Sequence, residues 1–157
     1  MMMSNYIQTM RNLIGNQTLL TVGCGAIIED DKGRILLQQR TDHSEWGIPG
    51  GLLELGETFV ETVKREVWEE TGLTLEDLNL FGIYSGEKGF AEYENGDKVY
   101  SVQVIFFTKK FSGHLTQNKE SKRVVFLEKL ELPKQLNSHQ APFIEDWIKG
   151  TAPPIIK

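Results

Sequence analysis

Apolar positions in this chain follow two rhythms. Ile7, Met10 and Ile14 recur at helical spacing and predict a short helix over Tyr6–Ile14, ended by Gly15-Asn16. LLTVGCGAIIE (Leu19–Glu29) is a nearly continuous run of apolar and β-branched residues and predicts a buried strand. Asp30–Gly33 has turn chemistry, so Arg34–Arg40 is expected to return as the second strand of a hairpin. TDHSEWGIPGG, punctuated by Gly and Pro, predicts a loop. Val60, Val63 and Val67 then keep helical spacing and are expected to face the core, with Thr71-Gly72 closing that helix through a left-handed cap.

LNLFGIYS, KVYSVQVIFFTKK and RVVFLEKL predict three further strands. SGEKGFAEYENGDK reads as a polar loop whose Asn95-Gly96 is a turn signal. APFIEDWIK predicts a C-terminal helix with Phe143, Ile144 and Trp147 on one face. Strands joined both by hairpins and by a helical crossover imply a mixed sheet covered by helices, an α/β fold. No linker interrupts the 157 residues, which suffice for one sizeable core, so residues 1–157 are expected to form a single domain.

Composition narrows the partners. A net charge of −5 does not favour broad binding to nucleic acid or acidic lipid. The lone Cys24 excludes an internal disulfide and fits a reducing compartment, and inside an apolar run it reads as a small buried strand residue. The N-terminal stretch lacks a signal-peptide pattern, and no apolar run approaches a membrane span. The expectation is a cytoplasmic protein that does not engage a membrane.

One charge cluster demands a reason. Glu66, Glu69 and Glu70 lie three and four residues apart on a helix, where like charges repel by about 0.2–0.5 kcal/mol per exposed pair. At about 100° per residue they cover roughly 100° of helix surface beside the Val60, Val63 and Val67 stripe, near the loop Gly47–Gly56. Carboxylates at such an edge need a counter-charge, and hard divalent cations take oxygen ligands. Trp46-Gly47-Ile48-Pro49-Gly50-Gly51 must turn sharply, and its glycines let backbone approach a metal or phosphate. Glu57, at the start of the helix, suits the dipole there and is placed to orient Arg65 or a metal-held water.

Gly51, Glu57, Arg65-Glu66-Val67, Glu69-Glu70 and Gly72-Leu73 together resemble the signature of the Nudix hydrolase family, with every specified position between residues 51 and 73 met. The preceding hairpin, the Trp-Gly-Ile-Pro-Gly-Gly approach, the Tyr93–Asp97 turn and the stretch from Glu120 to Glu131-Leu132-Pro133 resemble a bacterial-type branch of it. The resemblance implies a Nudix-type α/β/α sandwich with a mixed β-sheet. It also implies Mg²⁺- or Mn²⁺-dependent hydrolysis of the pyrophosphate linkage of a nucleoside diphosphate derivative. ADP-ribose, nucleotide sugars, dinucleoside polyphosphates and non-standard nucleoside triphosphates are the substrate candidates. Carried over by position, Glu66, Glu69 and Glu70 are metal ligands, and Gly50 supplies a carbonyl ligand. Arg65 orients the glutamates, Glu57 supports that network, and Glu120 matches a loop general base, a role for which the box glutamates, Glu69 among them, are alternatives.

Other residues have plainer readings. Trp46 is a packing anchor for its loop, Glu54 a surface loop residue, and His43, His114 and His139 ordinary surface or loop residues. Phe90, Tyr93 and Tyr100 either stack on a nucleobase or pack within their hairpin. Three rival functions stay open: a non-hydrolytic nucleotide-derivative sensor, an RNA 5′-end pyrophosphohydrolase served by Lys109, Lys110, Lys119, Lys122 and Arg123, and a diphosphate isomerase. The N-terminal helix offers a packing surface for a partner, which leaves a homodimer open.

Overall fold

The computed structural model describes residues 5–41, 44–116, 118–119 and 121–157. In chain order the elements are α1 (Asn5–Ile14), β1 (Leu19–Ile28), β2 (Ile35–Arg40), β3 (Trp46–Gly47), β4 (Gly50–Leu52) and α2 (Phe59–Thr71). There follow β5 (Leu73–Glu76), β6 (Asn79–Tyr84), β7 (Phe90–Glu92), β8 (Lys98–Thr108), β9 (Lys110–Gly113), β10 (Ser121–Leu127), α3 (Ala141–Lys149) and β11 (Ile155–Ile156).

The main sheet runs β11-β6-β8-β1-β4, with β7 also on β8. β1 is parallel to β8, and antiparallel to β4; β6 is antiparallel to β8. The sheet is therefore mixed. Alternation along its central strands sends side chains to two separate cores. Ala26, Ile28, Val104 and Phe106 meet Val63 and Val67 of α2. Ile27 and Ile105 meet Phe143, Ile144 and Trp147 of α3. The strand period of two thus places a helix on each face, the expected α/β/α sandwich.

The predicted hairpin between β1 and β2 is overturned. After the turn, where Asp30 Oδ1 accepts the Arg34 N–H at 2.8 Å, the two strands meet only at the Glu29–Ile35 bridge. β2 then enters a second antiparallel sheet, β10-β2-β3. It separates because both its faces are apolar: Leu36 joins the α2 core, while Ile35 and Leu37 join the α3 core. The stretch read as a polar loop before β8 contains β7, whose Phe90 pairs with Tyr100. Val60 is 38% exposed rather than buried, as is Phe59 at 44%, so the first turn of α2 extends beyond the covered part of the sheet. The C-terminal helix has the predicted bounds, and Trp46 is buried as a loop anchor. Among the described residues, no helix is long and apolar enough to cross a membrane.

Candidate active site

α2 is bounded firmly at both ends, which fixes the spacing of its carboxylates. Thr58 Oγ1 accepts the Glu61 N–H at 3.1 Å and Glu61 Oε2 accepts the Thr58 N–H at 3.3 Å, a reciprocal capping box. At the other end Gly72 adopts φ 80°, and its N–H donates to Trp68 O at 2.9 Å. A side chain at 72 would be strained there and would also meet His114 O at 2.6 Å.

Arg65 is the hub of the cluster. Its Nε donates to Glu57 Oε2 and its Nη2 to Glu57 Oε1, both at 2.9 Å, a two-point pairing that fixes both planes. Its Nη1 donates to Glu66 Oε1 at 2.7 Å and lies 3.7 Å from Glu69 Oε2. One guanidinium therefore joins Glu57, Glu66 and Glu69. Glu57 also accepts from the Thr62 hydroxyl at 2.9 Å and the Glu54 N–H at 3.2 Å. Arg65 above all, with Thr62 and the backbone, holds the Glu57 carboxyl down at about 2. Glu57 first, and then Glu66, push the Arg65 pKa up. Glu54 is thus more than a surface loop residue, since its backbone braces Glu57 and its carboxylate lies 4.0 Å from Arg65.

Glu70 is the most enclosed of the three, at 7% exposure. Its Oε2 accepts the Gln38 Nε2–H at 2.9 Å and the Gly50 N–H at 3.1 Å. Burial, with the neighbouring Glu66 charge, raises its pKa to about 8. Burial likewise raises that of Glu66, against the opposing pull of Arg65. Gln38 is in turn oriented by Ser121, whose hydroxyl donates to its Oε1 at 3.0 Å.

The glycine pair explains how helix and sheet come so close. A Cβ on Gly51 would lie 2.3 Å from the Glu66 carboxyl carbon, and one on Gly50 would lie 2.3 Å from Cys24 O. Bonds from Ala26 N–H to Pro49 O and from Leu53 N–H to Val22 O set the phase of the β1–β4 ladder. Gly50 falls at a non-hydrogen-bonded position of that ladder, so its N–H and C=O both point away from β1. The N–H reaches Glu70.

Gly50 and Gly51 also form one end of a cleft of about 350 Å³ across β4, β1 and β8, a volume in the range of small-molecule sites. Arg40 stands at that end. Gln103, His139 and Asn137 also line the cleft. The Gln103 amide lies on Gly23, where a Cβ would be 2.7 Å away, and donates to Ser101 Oγ at 2.7 Å. The His139 ring is part-buried; burial pushes it toward the neutral form, against its bond with the Phe90 backbone.

The structure brings Glu57, Arg65, Glu66, Glu69, Glu70 and Gly50 together. Glu120 and His43 lie outside the described residues. His114 is exposed, as read, whereas His139 is a cleft residue and not an ordinary loop histidine. Phe90 and Tyr100 pack on each other with centroids 5.1 Å apart, while Tyr93 reaches the cleft. Sequence reading missed Gln38, Thr62 and Gln103. The available signal for Gln38 was slight, since it opens the polar half of a strand that begins Ile35-Leu36-Leu37.

The NUDIX domain family matches residues 19–147 of the chain. A MutT-like protein of Streptomyces ambofaciens is 33% identical over 132 residues, covering 83% of this chain and 78% of that one. An ADP-ribose pyrophosphatase of Methanocaldococcus jannaschii is 28% identical over 130 residues, covering 82% and 73%. The crystal structure of a MutT NUDIX hydrolase from Burkholderia pseudomallei matches with a TM-score of 0.69 at 29% identity, over 81% of this chain and 97% of that one. A mixed sheet between helices, a complete signature running from β4 through one capped helix, and these likenesses agree: the chain belongs to the Nudix family and is a Nudix pyrophosphohydrolase.

Proposed function

We propose that the protein, acting as one domain, hydrolyses the pyrophosphate linkage of a nucleoside diphosphate derivative with Mg²⁺ or Mn²⁺, and that ADP-ribose is the first substrate to test. The observation that carries this reading is the gathering of Glu66, Glu69 and Glu70 around the Gly50–Gly51 end of the cleft. The ADP-ribose pyrophosphatase likeness, over four-fifths of the chain, supports the choice of substrate.

The residues present fit a hard cation. Glu66 packs directly on backbone where any side chain at 51 would fill the space, and Glu70 is buried against neutral donors. Among the described residues, no three Asp, Glu, His or Cys side chains form a ready-made cage. Mg²⁺ does not need one, since it binds through few carboxylates together with waters and substrate phosphates. Glu66, Glu69, Glu70 and the Gly50 carbonyl would hold it. When bound, such an ion supplies charge neutralisation on the diphosphate and activation of the attacking water. Glu57 and Arg65 would position these ligands, and Arg40, in the cleft lining, would meet the substrate phosphates.

The basic residues that kept an RNA substrate open are dispersed. Lys109 pairs with Glu29 at 3.0 Å, Lys110 with Asp77 at 3.6 Å, and Arg123 lies over Trp46. The small-molecule reading therefore leads.

A panel of ADP-ribose, nucleotide sugars, dinucleoside polyphosphates and oxidised nucleoside triphosphates, assayed with each metal and with EDTA, tests the proposal. Hydrolysis of at least one compound, abolished by EDTA, is expected; activity that persists in EDTA would sink it. Metal should also stabilise the fold. At about 100 times its dissociation constant, Mg²⁺ should add roughly 2.7 kcal/mol if only the folded state binds. Melting curves that ignore both metals would remove the cation from this reading of the glutamates.

The Arg65–Glu57 pairing makes a separate prediction about acid. The Glu57 carboxyl is lowered from 4.5 to about 2, so its contribution is present above the unfolded value and lost as pH falls through the folded one. Arg65→Ala should therefore cost about 1–2 kcal/mol at pH 7, the full shift being reduced by solvent screening of a part-exposed pair. Urea denaturation should show that difference shrinking between pH 5 and about 2. An unchanged difference at low pH would remove Glu57 as its source.

A further inference from the structure

A second depression, about 180 Å³, lies beside the cleft on the same face of the main sheet. Ser101, Gln103 and His139 line both, so these side chains form the ridge between them. The cleft covers β4, β1 and β8, and the second chamber continues over β8, β6 and the chain end beyond β11. Neighbouring strands lie about 4.8 Å apart, so the chamber begins over β8, two strand spacings or about 10 Å from β4. A ligand with its diphosphate at Gly50 would reach it only across the length of the cleft.

The chamber is too small for a nucleoside, given that whole small-molecule sites take about 300–1,000 Å³. It suits a tetrahedral oxyanion with a few waters, each about 30 Å³. Its charge suits one as well. Lys88, Lys149 and Lys157 line it, opposed by Glu145 and Asp146. Asp146 is buried and already committed: its Oδ2 accepts the Tyr84 hydroxyl at 2.8 Å and its Oδ1 the Lys157 ammonium at 3.0 Å. Lys88 and Lys149 form no salt bridge among the described residues, and three lysines against two carboxylates leave a local positive surplus in a chain of net charge −5. Lysine binds phosphate as a flexible point charge.

We propose that this chamber binds a phosphate group carried at the end of the substrate remote from the scissile diphosphate. The preferred substrates are then nucleoside diphosphate derivatives with an additional phosphate on the ribose of the nucleoside. The inference rests on the hydrolase reading for its reaction but not for its binding site.

Two measurements separate them. In ¹⁵N NMR of metal-free protein, inorganic phosphate should shift the Lys88, Gly89 and Lys149 amides saturably, and the double variant Lys88→Glu/Lys149→Glu should lose the effect. In Mg²⁺-dependent kinetics, at least one of the 2′- and 3′-phosphorylated forms of ADP-ribose should exceed ADP-ribose in kcat/KM by about tenfold, the scale of one charge-assisted hydrogen bond. The double variant should erase that preference while leaving ADP-ribose turnover unchanged. Shifts that do not saturate or that survive charge reversal overturn the site. Saturable shifts without a kinetic preference overturn the substrate assignment. Should neither ADP-ribose nor its phosphorylated forms be hydrolysed, the substrate assignment fails, while saturable shifts abolished by the double variant would still uphold the anion site.

Discussion

Glu69→Gln and Glu70→Gln should each lower turnover by about 10²–10³, the several kcal/mol that a metal ligand's charge contributes to the transition state. The structure makes Glu70→Gln a clean test. Glutamine matches glutamate in volume, and its carbonyl oxygen can accept the same two donors, the Gln38 amide and the Gly50 N–H. Buried geometry is thereby kept while the charge is lost. Circular dichroism and metal-free melting should stay native-like, and the Mg²⁺ stabilisation should weaken. Glu69 sits 3.7 Å from the Arg65 guanidinium, so Glu69→Gln removes a charge from the hub without undoing the Glu57 pairing. If both variants kept wild-type turnover under saturating metal, the helix carboxylates would lose the role given to them.

These carboxylates were legible in the sequence because their geometry is local. One helix with a capping box at Thr58 and a left-handed Gly72 turns linear spacing directly into a surface pattern. The two-core sandwich was legible in part, since long apolar strands imply burial on both faces without saying which strand neighbours which. β2 shows the limit. Ile35, Leu36 and Leu37 are all buried, so nothing in their pattern distinguished a hairpin with β1 from departure into a second sheet. Gln38 shows another limit, because its partner Glu70 is 32 residues away and only the folded chain brings them together. His139 was misread for the same reason: a histidine in a polar stretch becomes a cleft wall once α3 docks on the sheet. Substrate class came from the family resemblance, because no local pattern of residues encodes it.

Glu120→Gln should lower turnover by about 10²–10⁴, the contribution of a positioned general base. Glu120 itself lies outside the described residues, but its chain neighbours are tied to the carboxylate helix on both sides. The Asn118 amide donates to Glu69 O at 3.5 Å, and the Ser121 hydroxyl reaches Gln38, which holds Glu70. Both anchors lead to glutamates proposed to hold the metal. Carboxylates engaged by a cation are poor proton acceptors, whereas a carboxylate outside that set retains its basicity. Glutamine keeps size and polarity, so KM and the Mg²⁺ effect on melting should barely move. The acidic limb of the pH–rate profile should change shape, a readout that a purely structural role would leave alone. Turnover within about threefold of wild type would be too small a loss for a general base, and would pass the role to Glu54, Glu57 or Glu69.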